Sequence, residues 1–244
     1  MDMYAAYAGA AYNISDTWNC GYECKHPGTE DTHVEYRWDA PLITSDGYIA
    51  RNPSRKIIVV AFRGSAEAGD WIEDFTGNPV QWPETIADSI VVLGFLSGYL
   101  VSSSSVVQHT AKLAAQYPDH GISAVGHSLG GARAAMFVAD ISIKHPQLLP
   151  RVQLYTYGQA KVGNPAFAAY MNGLGMPIYR VVNRGDIAPH LPYNNSRIVH
   201  FGTEVWITAN NKTVVCQSSD YSLCSESLPP AAFNIRDHST YPGL

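Results

Sequence analysis

Short apolar runs separated by stretches of helical length constrain this chain more than any other feature of its sequence. From Arg55 onward the runs are Lys56–Phe62, Ile122–Val125, Val152–Tyr157 and Ile178–Val182. Between them, Gly94–Tyr117 and Leu129–His145 carry helical patterns stopped by Pro118 and Pro146, and Pro165–Leu174 begins on a proline. Nearly continuous apolar strands are buried on both faces, and strands alternating with helices build βαβ units. The expected fold is α/β, a mostly parallel central sheet covered by helices on both faces. Phe95, Tyr99, Val107, Leu113, Ala114 and Tyr117 give the first helical stretch its apolar face, while Ser102–Ser105 are a local weakness and a candidate break. Val199–Thr208 and Lys212–Cys216 flank Ala209-Asn210-Asn211 and read as a hairpin extending the sheet antiparallel. No internal repeat or long linker divides residues 1–244, which read as one domain.

The composition can fill such a fold. Of 244 residues, 46% are hydrophobic and 15% charged, opposite to the low hydrophobicity and high charge of disordered chains. With 16 Lys and Arg against 21 Asp and Glu the net charge is −5, which offers no basic face to nucleic acid or an anionic membrane. Apolar stretches such as Ile57–Phe62 are too short to span a bilayer. Met1-Asp2-Met3-Tyr4 carries neither a basic n-region nor a leucine-rich h-region, so no signal peptide reads there. The four cysteines allow three pairings, and proximity favours Cys20–Cys24 and Cys216–Cys224 in polar, loop-like surroundings. Their spacing lacks the paired CxxC knuckles of zinc sites. Sequons at Asn13, Asn194 and Asn211 add to the expectation of a mature secreted protein whose signal has been removed.

The chemistry centres on Gly126-His127-Ser128-Leu129-Gly130. A GxSxG pattern alone is weak, but this one sits between the strand Ile122–Val125 and a helix start rich in small residues. A nucleophile elbow needs that setting: a sharp strand-to-helix turn exposes the serine hydroxyl, and flanking glycines remove Cβ atoms that would collide with the crossing backbone. The helix dipole and the Leu129 N–H then face a developing oxyanion. A serine needs a base, and the base an orienting acid, in the chain order Ser, Asp or Glu, His. Asp186 lies in the loop after Ile178–Asn183; Asp220, in the small cysteine loop, and Asp237, adjacent to a histidine, compete with it less well. Of nine histidines, His238 alone falls in a loop after the last strand, where the base belongs. His127 occupies the elbow's variable position, and His190 lies only four residues beyond Asp186. The second oxyanion donor is expected after an early strand, and Ser65 follows Ala61-Phe62-Arg63-Gly64 there; it can also cap the helix that follows. In that helix Ala68, Trp71, Ile72 and Phe75 fall at i, i+3, i+4 and i+7, opposite Glu67, Asp70, Glu73 and Asp74. An amphipathic segment over residues 66–77 is either surface packing or a lid.

Several of these motifs occur in one order in a known family. Phe62-Arg63-Gly64-Ser65, Asp70-Trp71-Ile72-Glu73-Asp74, Gly94-Phe95-Leu96, Gly126–Gly131, Tyr157-Gly158, Gly163-Asn164, Asp186–Pro192 and Asp237-His238 resemble the class 3 fungal lipases of the α/β-hydrolase fold, which include triacylglycerol lipases and type A feruloyl esterases. The resemblance runs from about Thr17 to Tyr241. It implies Ser128, Asp186 and His238 as triad, Ser65 and Leu129 as oxyanion hole, and the helix around Trp71 as lid. It also matches Cys20–Cys24 and Cys216–Cys224 to two family disulfides, whereas the long bridge joining the terminal segments of many members has no cysteines here.

The expected activity is two-step acyl transfer from a carboxylic ester, most simply an acylglycerol at a lipid–water interface. His238, oriented by Asp186, takes the Ser128 proton during attack, and water later releases the acyl group. No cofactor or metal is expected, since HExxH, Walker and GxGxxG patterns are absent. A feruloyl esterase would use the same triad. A non-catalytic lipid- or carbohydrate-binding protein of this fold would not need one.

Overall fold

The computed structural model describes residues 1–39, 46–65, 78–192, 197–218 and 220–244. Its strands are β1 (His33–Trp38), β2 (Gly47–Asn52), β3 (Ile57–Phe62), β4 (Pro79–Gln81), β5 (Ile90–Val92), β6 (Gly121–His127), β7 (Val152–Tyr157), β8 (Ile178–Asn183), β9 (Thr203–Ile207) and β10 (Thr213–Cys216). The α-helices are α1 (Asp2–Ala10), α2 (Leu93–Gln116), α3 (Leu129–Lys144), α4 (Pro165–Gly173) and α5 (Ile235–His238). One eight-stranded sheet has the order β1-β2-β3-β6-β7-β8-β9-β10, and β4 pairs with β5 apart from it. From β3 to β9 neighbours run parallel, while β1, β2 and β10 are added antiparallel at the two ends.

Each residue of β3 is buried, and the side-chain period of two divides them between two cores. Ile58, Val60 and Phe62 pack with Phe95, Tyr99 and Phe137 on the face covered by α2 and α3. Ile57, Val59 and Ala61 pack with Tyr7, Tyr48 and Tyr157 on the face covered by α1. The α/β expectation, with helices on both faces, therefore holds among the described residues. Helix α1 has no apolar stripe in its sequence because it is buried nearly all round: Ala5, Ala6, Tyr7, Ala8, Gly9 and Ala10 are covered.

Three local expectations change. Helix α2 is continuous through Ser102–Ser105, because Ser103 and Ser105 donate hydroxyl bonds to the carbonyls of Leu100 and Ser102 inside the helix. The strand before the hairpin begins at Thr203 rather than Val199, which makes only an isolated bridge to Gly163. His238 closes the short helix α5 instead of lying in a loop. Both disulfides, Cys20–Cys24 and Cys216–Cys224, are closed. The terminal segments meet without a third: a Cβ on Gly243 would stand 2.7 Å from Asp2 O, and one on Gly9 3.4 Å from Leu244 Cα. Between β8 and β9 lies a buried ion pair, Arg180 Nη2 to Glu204 Oε2 at 3.2 Å. Arg180 Nε also donates to Phe201 O, and Glu204 Oε1 accepts the Ser225 N–H.

Candidate active site

Strand β6 ends at His127 and α3 starts at Leu129, leaving Ser128 alone to turn the chain, at φ 58° and ψ −129°. A non-glycine residue at positive φ is strained and persists only where its surroundings dictate it. Here the Ser128 N–H donates to Tyr157 O at 2.8 Å, while Ser128 O accepts the Gly131 N–H at 3.0 Å. Gly130 lets the helix start press on the end of β3, since a Cβ there would lie 2.1 Å from Phe62 O. Ser128 is 3% exposed. Leu129, fully buried, belongs to the first helical turn, whose N–H groups have no partner within the helix. The β3 end is anchored where Arg63 pairs with Asp46 at 2.7 Å. Beyond it Gly64 abuts the elbow: a Cβ on it would stand 3.2 Å from Ser128 Cβ, and partly exposed Ser65 follows.

Asp186 follows β8 and is fully buried. Its two carboxylate oxygens each lie 2.9 Å from His238 Nδ1. A carboxylate accepts, so Nδ1 carries the hydrogen and Nε2 holds the ring's lone pair. Oδ1 also accepts the Ala188 N–H at 2.9 Å, and Oδ2 accepts the Tyr241 hydroxyl at 2.5 Å. Burial, with the Asp186 charge behind it, holds the Tyr241 phenol well above its usual range, so it remains a donor. No pattern in the sequence marks Tyr241, which lies beyond the end of α5. Asn183 finishes the support, with Nδ2 donating to the carbonyls of Asp237 and Thr240. A backbone bridge joins Asp186 to Asn234, just ahead of α5. Just after β7, Gly158 has φ +60°, and a Cβ there would meet Asp186 Oδ2 at 2.7 Å and the His238 ring at 2.9 Å.

The competing residues are engaged elsewhere. Asp237 Oδ2 accepts the Gly185 N–H at 3.1 Å, which turns it from the neighbouring imidazole, and Asp220 is exposed in the disulfide loop. His190 stacks on Phe233 at 4.0 Å between centroids, and burial lowers its pKa to about 4. His200 donates Nε2–H to Pro189 O at 2.6 Å and is likewise held neutral by burial. A groove of about 980 Å³ beside these two rings is lined by Lys161, Tyr221 and Glu226, and by none of Ser128, Asp186 and His238. Ala68, Trp71, Ile72 and Phe75 of the expected lid, residues 66–77, lie outside the described residues, as does Asn194. Asn13 and Asn211 are exposed. Among the described residues no group of three or more His, Cys, Asp or Glu is placed to hold a metal, and no helix is long and apolar enough to cross a membrane.

Comparison with known proteins gives a consistent picture. Residues 59–196 match the family described as lipase (class 3). A lipase of Rhizomucor miehei is 38% identical over 232 residues, covering 93% of this chain and 62% of its own length. Secreted mono- and diacylglycerol lipase A of Penicillium cyclopium is 30% identical, covering 89% and 72%. The chain thus spans about 62% of the length of the curated Rhizomucor and Rhizopus lipases it resembles. Among solved structures, lipase II from Rhizopus niveus superposes with a TM-score of 0.93 at 29% identity, covering 99% of this chain and 92% of that one. A triacylglycerol lipase described as having a serine-protease triad as its catalytic centre gives 0.90 at 35% identity, with coverage of 99% and 92%.

Proposed function

Because the chain belongs to the class 3 lipase family and has its α/β-hydrolase fold, we propose that it is a secreted serine carboxylic-ester hydrolase, a triacylglycerol lipase. Ser128 is the nucleophile, His238 the base and then the acid, and Asp186 the group that orients the imidazole. As the Ser128 hydroxyl attacks the ester carbonyl, His238 Nε2 takes its proton. The Leu129 N–H and Ser65 stabilise the oxyanion. His238 then protonates the departing alcohol, and a water activated by the same nitrogen cleaves the acyl-enzyme. The observation that carries this reading is the bond between both Asp186 oxygens and His238 Nδ1, at 2.9 Å, beside a serine held at positive φ between strand and helix. Two closed disulfides and exposed sequons at Asn13 and Asn211 support secretion.

The apolar spacing of Ala68, Trp71, Ile72 and Phe75 supports a lid that an oil–water interface opens by accepting the same face. The reading is tested by Ser128→Ala, expected to lower kcat on p-nitrophenyl butyrate by about 10⁶ with the fold intact. Residual activity above a few per cent would sink it. A panel of tributyrin, triolein and methyl ferulate assigns the substrate class: hydrolysis that jumps at the solubility limit of tributyrin, and that Trp71→Ser flattens, marks a lipase. Smooth saturation with preference for methyl ferulate would make the protein a feruloyl esterase.

A further inference from the structure

We propose that Tyr12 is a positioning residue of the Ser128 site, its hydroxyl joining the Gly64–Ser65 loop, the elbow and the His238 backbone in one hydrogen-bonded chain. The proposal rests on the ester-hydrolase reading above. The chain can be followed atom by atom from its far end. His127 Nε2 lies 2.8 Å from the carbonyl oxygen of His238. A carbonyl can only accept, so Nε2 carries the hydrogen. Burial in the first place, and the neighbouring His238 in the second, push the His127 pKa down to about 3, so the ring is neutral and its Nδ1 is an acceptor. The Tyr12 hydroxyl, 2.8 Å from that Nδ1, must be the donor. Its oxygen in turn accepts the Gly64 backbone N–H, and burial keeps the phenol protonated. The approach is tight, for a Cβ on Gly64 would stand 2.3 Å from the Tyr12 oxygen.

Each link has one permitted direction, and this gives Tyr12 its role. Its O–H satisfies the buried lone pair that the Nε2–H tautomer leaves on His127 Nδ1, as Asp186 accepts the Nδ1–H of His238. With the hydroxyl removed, the His238 carbonyl still holds the hydrogen on Nε2, and the buried Nδ1 lone pair is left without its donor. The ring must then shift to find Nδ1 another partner, which strains its bond to the His238 carbonyl. The His127 ring also packs against that of His238, 4.5 Å between centroids, and edge-on to Tyr241 at 5.6 Å. A shift at His127 is therefore transmitted to the base through ring packing as well as through its backbone. The Gly64 N–H would lose its acceptor at the same moment, loosening the loop that carries Ser65. Both effects disturb the alignment of nucleophile, base and oxyanion donors.

The test is Tyr12→Phe beside Tyr7→Phe, which removes another buried hydroxyl, one bonded to Thr32 on the far side of α1's packing. On p-nitrophenyl butyrate Tyr12→Phe is expected to lower kcat about 10–100-fold, in line with the cost of sub-ångström to ångström misplacement, with KM within about twofold. Tyr7→Phe is expected to lower Tm comparably and leave kcat unchanged. A second measurement reads the bonds directly: ¹⁵N imidazole shifts of the wild-type protein should report His127 as the Nε2–H tautomer with a hydrogen-bonded Nδ1, and in Tyr12→Phe the Nδ1 resonance should move toward that of an unbonded lone pair. A kcat within twofold of wild type in Tyr12→Phe, or an Nδ1–H tautomer in the wild type, overturns the proposal. Loss of the ester-hydrolase reading would show separately, as activity surviving Ser128→Ala.

Discussion

Gly158 offers a sharp probe of the Asp186–His238 pair, because it touches both partners without belonging to either. Gly158→Ala places a methyl 2.7 Å from Asp186 Oδ2 and 2.9 Å from His238 Nδ1 and Cε1. Ordinary contact begins at 3.4 Å, so the carboxylate must yield by about 0.7 Å and the ring by about 0.5 Å. Neither is the loose end of a flexible side chain, since Asp186 is bonded to Ala188 and Tyr241 as well. The backbone is also costly: at φ +60° an alanine carries about 1–2 kcal/mol of left-handed strain. In a domain of this size that lowers Tm by about 2–8 °C. If a displacement near 1 Å costs about 10²-fold, half of it should lower kcat about tenfold. Initial rates on p-nitrophenyl butyrate give kcat and KM, and a thermal melt gives Tm. A kcat within twofold of wild type alongside a lowered Tm would refute the premise that the Asp186–His238 geometry is rigidly set.

Asp186→Asn is expected to lower kcat by about 10⁴ through the wrong imidazole tautomer, whereas Asp237→Asn, altering a side chain bonded to the Gly185 N–H, should cost far less; the reverse ranking by steady-state assay would reassign the acid. Glu204→Gln strands the buried Arg180 charge and should destabilise by about 3–5 kcal/mol in a urea melt, with a loss under 1 kcal/mol counting against that pairing. Acid should destabilise the protein early, because His127, with its pKa at about 3, His190, at about 4, and His200, held low, are neutral when folded. Unfolded imidazoles take up protons below about pH 6.5, so this stability is complete above that pH and is lost as the pH falls toward the folded values, at about 1.4 kcal/mol per unit for each ring. Urea midpoints flat between pH 6.5 and 4.5 would contradict it. Titration of the unfolded, unreduced protein should find no free thiol, as both disulfides are closed.

What the sequence made legible is what repeats with a period or concentrates in a short motif. The β-branched Ile57–Phe62 run, the prolines bounding the helices and the glycines around Ser128 each state their own local structure, and the parallel sheet and elbow follow from them. Helix α1 escaped notice because a helix buried on every side has no stripe to detect. Strand β1 does alternate, with Val34, Tyr36 and Trp38 set against His33, Glu35 and Arg37, yet its polar half reads as loop. The Ser102–Ser105 stretch misled because propensity is overridden when serine hydroxyls bond within the helix and two of the four are buried against neighbours. At the site, the strand-to-helix turn at Ser128 and the meeting of Asp186 with His238 were readable from order and spacing. Tyr12, His127 and Tyr241 were not, since what they do depends on contacts between segments more than a hundred residues apart or on a hydroxyl turned one way.

Those separations carry a consequence for how activity is acquired. The Ser128 turn is held by Gly131 and by the neighbouring strand's Tyr157, whereas Asp186 meets His238 across 52 residues, and His127 meets His238 and Tyr12 across 111 and 115. Long-range closures are the slow ones, because their loop entropy is spent before any contact repays it. A refolding chain should therefore regain its far-ultraviolet spectrum before it regains turnover, Ser128 being seated while His238 is still on an undocked segment.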